Sequence, residues 1–181
     1  AIISGAVLEP CDFTGADFTG AVCVNQDFVK CALKGGIFIK ADLSGARILS
    51  KYLDECDFSD ADLSRSDCTG TSFVKANLTQ ANLSWAVLSR TNFDGVKAES
   101  ADFSRAIMSQ VSCRNARLAG SFFEQTDLSL SDFSNSDMTA CHLIKARCHS
   151  SSFVSARLDM ANLSHADLEM ADFRYAGLKM A

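Results

Sequence analysis

Proline and tryptophan are almost missing from this chain. There is one of each in 181 residues, with only two tyrosines. No run of 18 apolar residues occurs, so no helix able to span a bilayer is encoded. No signal-peptide pattern opens the sequence either. Neither sign of charge dominates: 17 basic and 22 acidic residues leave a net −5. That balance repels phosphate and argues against nucleic-acid binding. Glycines such as Gly15, Gly20, Gly45 and Gly70 stand singly and form no phosphate-binding loop.

What the chain has is a rhythm. Every fifth residue from Ile3 to Leu178 is apolar, and the phase never slips. These 36 centres are 15 Leu, 12 Phe, 4 Cys, 2 Ile, 2 Met and one Ala, and they take all but one of the 13 phenylalanines. Two residues before each centre is a small slot, with Ala at 20 of 37 sites. Just before the centre, 17 of 36 residues are Asp or Asn. The remaining two positions are mostly polar or Gly.

Neither ordinary element carries a period of five. A helix turns about 100° per residue and would scatter the centres around its surface. A strand alternates faces, so an odd step would put successive centres on opposite sides. A common core therefore requires the chain to turn once per repeat and coil on itself, each coil burying its residues against the next. One large and one small inward side chain fill such a coil at native density. The Asp or Asn is suited to accept from nearby backbone N–H groups and hold the turn.

The repeat Ala-(Asp/Asn)-(Leu/Phe)-x-x resembles that of the pentapeptide repeat proteins, as in Ala41-Asp42-Leu43-Ser44-Gly45, Ala76-Asn77-Leu78-Thr79-Gln80 and Ala161-Asn162-Leu163-Ser164-His165. The resemblance covers the whole chain. It implies an all-β fold, a right-handed quadrilateral β-helix of about nine 20-residue coils. At about 4.8 Å per coil the rod is a little over 40 Å long. The expectation is a single domain over 1–181. Polar caps are not recognisable, so it is read as a fragment or as the ordered part of a longer chain.

The phase then filters the chemistry. Cys23, Cys68, Cys113 and Cys148 are centres, and Cys11, Cys31, Cys56 and Cys141 occupy the small slot. All eight should point inward as reduced core thiols, which fits a cytoplasmic location. Cys11 and Cys31, 20 apart, are the one pair to check for a disulfide. The stretch from Cys141 and His142 to Cys148 and His149 looks like a zinc site, but the phase puts its cysteines inside and its histidines outside. No metal or other cofactor is expected. Asp62 and Asp102 are turn residues two coils apart rather than an acid–base pair, and His165 is a solvated corner. The glycosylation-like patterns at Asn77, Asn82 and Asn162 follow from the repeat itself. The chain is expected not to be an enzyme.

Function then falls to the outer surface. Residues 20 apart form columns, and one of them carries Arg65, Trp85 and Arg105, with Arg90 one corner away. Exposed Trp and Arg are enriched at binding hot spots, which marks this column as a partner-binding candidate. Met160, Met170, Tyr175 and Met180 occupy corners that are polar elsewhere, and mark a candidate for a covering element or for end-to-end self-association. Gln26 and Lys51 break the small slot. Lys51 is expected to bend outward to an acid of the cluster Asp54, Glu55, Asp57, Asp60 and Asp62.

Two functions follow as expectations. The first is a non-catalytic interaction module or scaffold with a protein partner and no membrane insertion. The second is mimicry of DNA, as in the Qnr-like and MfpA-like members of the family, which bind gyrase and protect it from quinolones. The modest charge, the basic column and the unbroken phase weigh against the second.

Overall fold

The computed structural model describes residues 1–49 and 52–181, so Lys51 and its expected pairing lie outside the described residues. The chain winds as a right-handed four-sided β-helix. Parallel bridges link residues 20 apart from Ile2↔Val22 to Arg157↔Gly177. The columns expected from the sequence are therefore real neighbours in adjacent coils.

The repeat satisfies its backbone in a fixed way. In the coil around Leu63, the Asp62 N–H donates down to Ala41 O at 2.9 Å and the Leu63 N–H donates up to Asn82 O at 2.7 Å. The Arg65 N–H also donates up, to Ser84 O, and the Ser66 N–H closes the turn on Leu63 O. The fifth N–H, on Ser64, has no backbone acceptor there. Asp62 Oδ1 takes it at 2.8 Å. This is the physical reason for Asp or Asn before the centre, since an orphaned N–H costs as much as a lost hydrogen bond. Where that residue is something else, a side chain from the coil below can substitute. Asp54 Oδ1 accepts from Val74 N, Asp94 Oδ1 from Arg114 N, and Ser4 Oγ from Val24 N.

The corner residue, two after the centre, has a rule of its own. At every described corner except Pro10 and Lys30 its φ is positive, from 55° to 74°. A turn with a left-handed third residue is the kind that favours Gly or Asn. No β-branched residue stands at any corner, although Val24, Ile39, Val74 and Ile144 occupy the position just before it. Pro10 cannot adopt a positive φ, and Lys30 in the next coil does not. There the chain leaves the corner extended, in strands β1 (Cys11–Asp12) and β2 (Cys31–Ala32), which pair in parallel.

Inside, the described centres and small residues are buried from Phe18 to Ala161, while those nearer the two ends are only part-buried or exposed. All twelve centre phenylalanines join one connected series of ring contacts. Phe18, Phe38 and Phe58 stack in one column at 5.0 and 4.6 Å, and Phe58 passes edge-on to Phe73 at 5.5 Å. The series ends with Phe133, Phe153 and Phe173. Most hydroxyl residues in the small slot are satisfied by a recurrent bond to a centre carbonyl one coil down, although Ser66 bonds to Cys68 Sγ and Ser136 to Phe133 O. Thr71 Oγ1 donates to Ile48 O at 2.6 Å, and Ser121 Oγ to Ala98 O at 2.6 Å. Gly36 is the one small-slot glycine, because a Cβ there would sit 2.7 Å from the Phe38 ring. Gly36 and Gly177 lie off the corners, unlike the remaining glycines.

Gln26 is 1 % exposed and does not turn outward. Its Nε2 donates to Ala6 O at 2.9 Å, a carbonyl of the kind that elsewhere accepts from the backbone, as in Arg47 N→Gln26 O. Its Oε1 has no partner. Seven cysteines are buried as expected, whereas Cys11 is only part-buried. Burial pushes the Cys23 thiol up to about 11, and those of Cys68, Cys141 and Cys148 up to about 12.

Candidate interaction surface

A corner residue in left-handed conformation directs its side chain away from the coil. Trp85 has φ 63° and is 53 % exposed. Its N–H is tied to Ser104 O at 3.0 Å, so the backbone beneath the ring is fixed. Arg105, one coil up, places its guanidinium carbon 4.8 Å from the ring centroid. Such a contact contributes about 0.5–1 kcal/mol at an exposed site. Arg65, one coil down, borders with Trp85 a polar groove whose wall includes Ser44, Ser64, Ser84 and Asp62. Arg90 is exposed on the next column and does not touch the ring group. The structure thus brings three of the four residues together.

The arginines divide by position. Six of the nine pair with carboxylates: Arg47 with Asp27 at 2.7 Å, Arg114 with Asp94 at 2.6 Å, Arg117 with Glu99, Arg147 with Asp127, Arg157 with Asp137 and Arg174 with Asp172. Each of these flanks a centre, where a side chain lies along the ladder within reach of an acid. Arg65, Arg90 and Arg105 are the three without an ion pair among the described residues, and all three are corner residues.

The carboxylates are tuned by the same ladder. Burial raises Asp94, but hydrogen bonds from Arg114 and Ser112 outweigh it and hold the carboxyl below its ordinary range. Burial likewise opposes Asp137, which the Thr139 hydroxyl and N–H bring down. Asp12 and Asp17 are lowered by Thr14 and Thr19. These shifts come from turn bonds and, for Asp94, from bonds to the coil above, rather than from paired catalytic acids. Asp62 and Asp102 are separated by the coil of Asn82, to which both are bridged. Cys141 and Cys148 point inward, whereas His142 stacks on Phe122 at 4.8 Å on the outer face and His149 faces Glu169.

The terminal group is less unified. Met160 and Met180 share one column and border a shallow depression with Leu163 and Leu178. Met170 and Tyr175 stand at two other corners, 75 % and 87 % exposed. They ring the last coil rather than forming one cluster.

Sequence reasoning passed over Phe122 and Ile107, exposed on outer faces at 37 % and 46 %. For Phe122 the signal was available, since it is the one phenylalanine off the five-residue phase.

Comparison with known proteins agrees with this geometry. A search of curated proteins finds no match. Among solved structures, HetL from the cyanobacterium Nostoc sp., described as involved in regulation of heterocyst differentiation, superposes with a TM-score of 0.81 at 25 % identity, over 97 % of this chain and 88 % of HetL. A trypsin-treated QnrB1, described as a plasmid-mediated fluoroquinolone resistance protein, gives 0.77 at 18 % identity, over 98 % of this chain and 89 % of that one. The second likeness is one of fold alone. The model for pentapeptide repeats matches in eight copies, over 11–48, 56–95, 71–110, 106–143, 131–169 and 151–181. With its unbroken phase and 20-residue register, the chain belongs to the pentapeptide repeat family.

Proposed function

We propose that this protein is a non-catalytic interaction module, a rigid rod that engages a protein partner at the Trp85 corner. The observation that carries this reading is an exposed tryptophan clamped by Arg105 and flanked by Arg65, neither arginine having an ion pair among the described residues. A clamped aromatic ring loses little entropy on docking, and Trp and Arg dominate binding hot spots. Unneutralised guanidiniums favour a partner surface that carries carboxylates around an apolar residue.

Because Trp85 is the only tryptophan, its emission reports directly on that corner. The test captures partners from a lysate of the source organism on the immobilised chain and on Trp85→Ala, then titrates the captured protein against Trp85 fluorescence. Trp85→Ala should abolish capture, Arg65→Ala and Arg105→Ala should weaken it, and Arg174→Ala should not. The melting temperature of Trp85→Ala should stay close to that of the parent. A partner held equally by parent and Trp85→Ala overturns the assignment of the corner. Gyrase binding is the alternative outcome. The net charge of −5 has the sign it needs, and the basic corner column opposes it. Inhibition of gyrase supercoiling by the Trp85→Ala chain would favour that reading.

A further inference from the structure

Cys11 and Cys31 occupy the small slot of adjacent coils and are directly opposed in the β1–β2 pairing. Their Sγ atoms lie 2.7 Å apart. That is well inside the separation at which two sulfurs not bonded to each other come to rest. Paired strands are spaced about 4.7–4.9 Å apart, within the Cα range that a disulfide accepts.

No other cysteine has such a neighbour. Cys56 lies between Gly36 and Ala76 in its column, and Cys141 between Ser121 and Ala161. Each donates its thiol to a carbonyl instead, Cys56 to Leu33 O at 3.6 Å and Cys141 to Leu118 O at 2.9 Å. The centre cysteines stack on Leu, Ile or Phe. Cys11 is also the one cysteine that is not fully buried. Both members of the pair follow the two described corners that are not left-handed. The local backbone that faces them toward each other is therefore a departure from the repeat.

We propose that Cys11 and Cys31 are a covalent site, closing to an intramolecular disulfide that clamps the first two coils. With oxidised glutathione as oxidant, the Cys11 thiolate attacks one glutathione sulfur. The glutathione S–S bond breaks, one glutathione leaves as its thiolate, and a mixed disulfide remains on Cys11. The Cys31 thiolate then attacks Cys11 Sγ and displaces the second glutathione. The protein loses two thiol protons and two electrons, and one oxidised glutathione becomes two reduced.

The test exposes the folded chain to oxidised glutathione, then unfolds it, alkylates the remaining thiols and weighs it. Six of the eight cysteines should be alkylated, and dithiothreitol should restore all eight. A non-reducing digest should join the Cys11 and Cys31 peptides. Neither Cys11→Ser nor Cys31→Ser should form an intramolecular bridge, and Cys31→Ser should at most trap a glutathione adduct on Cys11, while Cys68→Ser should still lose two thiols. Serine suits the slot, as buried Ser66, Ser121 and Ser151 show, and the digest of the parent chain decides the matter if a variant does not fold. Eight alkylated cysteines in a folded, oxidant-treated chain would overturn the proposal. So would a bridge to a different cysteine, or a glutathione adduct on Cys11 that never closes.

Discussion

Residues 10–31 and the coils from 61 to 160 obey the same side-chain pattern but not the same backbone. In the later coils every corner is left-handed, every small-slot residue is small, and the backbone ladder repeats except at Val111, whose N–H donates to Ser131 Oγ. In the earlier stretch Pro10 and Lys30 leave the left-handed region, Gln26 fills the small slot and two short strands appear. The coil closes in both places. The five-residue rhythm of inward residues is thus enough to maintain the fold, while the left-handed corner is a preference from which Pro10 and Lys30 depart.

The largest test of that contrast lies in the core. Phe93→Ala should cost about 3–5 kcal/mol in chemical denaturation. Phe28→Ala should cost less by about 0.5–1.5 kcal/mol, the worth of an aromatic pair. Both rings are fully buried, but Phe93 stacks on Phe73 at 5.2 Å and meets Phe103 edge-on, whereas Phe28 makes one edge contact at 6.3 Å. Equal costs would show that the connected rings add nothing beyond burial.

A smaller effect separates the corners. Gln110→Val puts a β-branched residue at φ 60° and should destabilise by about 1–2 kcal/mol. Lys30→Val, at a corner that is not left-handed, should fall within about 0.5 kcal/mol of the parent. If the two variants melt together, the absence of β-branched corners has another cause.

Acid should have the mildest effect and act on both regions. Asp12 and Asp17 in the first, and Asp94 and Asp137 in the second, have folded-state carboxyls held below their ordinary range. Such groups contribute stability above the unfolded value of about 3.9 and lose it as pH falls through the lower folded value. Melting temperature should therefore be flat from neutral pH down to about 5 and decline below about 4. Asp94→Asn should shallow that decline, and an unchanged slope would remove Asp94 from it.

Much of this was legible in the residues. The period of five required a coil, the phase sorted inward from outward cysteines, and spacing by 20 placed Trp85 between Arg65 and Arg105. The left-handed corner was not read, because its trace, eight of the ten glycines and no Val, Ile or Thr at the corners, is spread thinly among many other residue types. Nor was the pairing of arginines, which depends on whether a side chain lies along the ladder or leaves from a corner. Gln26 was noted as a violation, yet its amide bond to Ala6 O follows from local backbone geometry that no pattern carries.

The 20-residue register also constrains how such a gene can change. Inserting one codon would throw every later core residue out of phase. Inserting five would leave the interior intact and rotate everything downstream by a quarter turn. Placed between Trp85 and Arg105, those five codons would carry the guanidinium to the neighbouring corner and strip the indole of its cover. Only additions of whole 20-codon blocks preserve both the packing and the outer decoration. A lineage that lengthens or shortens this rod in steps of five keeps its fold and rewrites its surface.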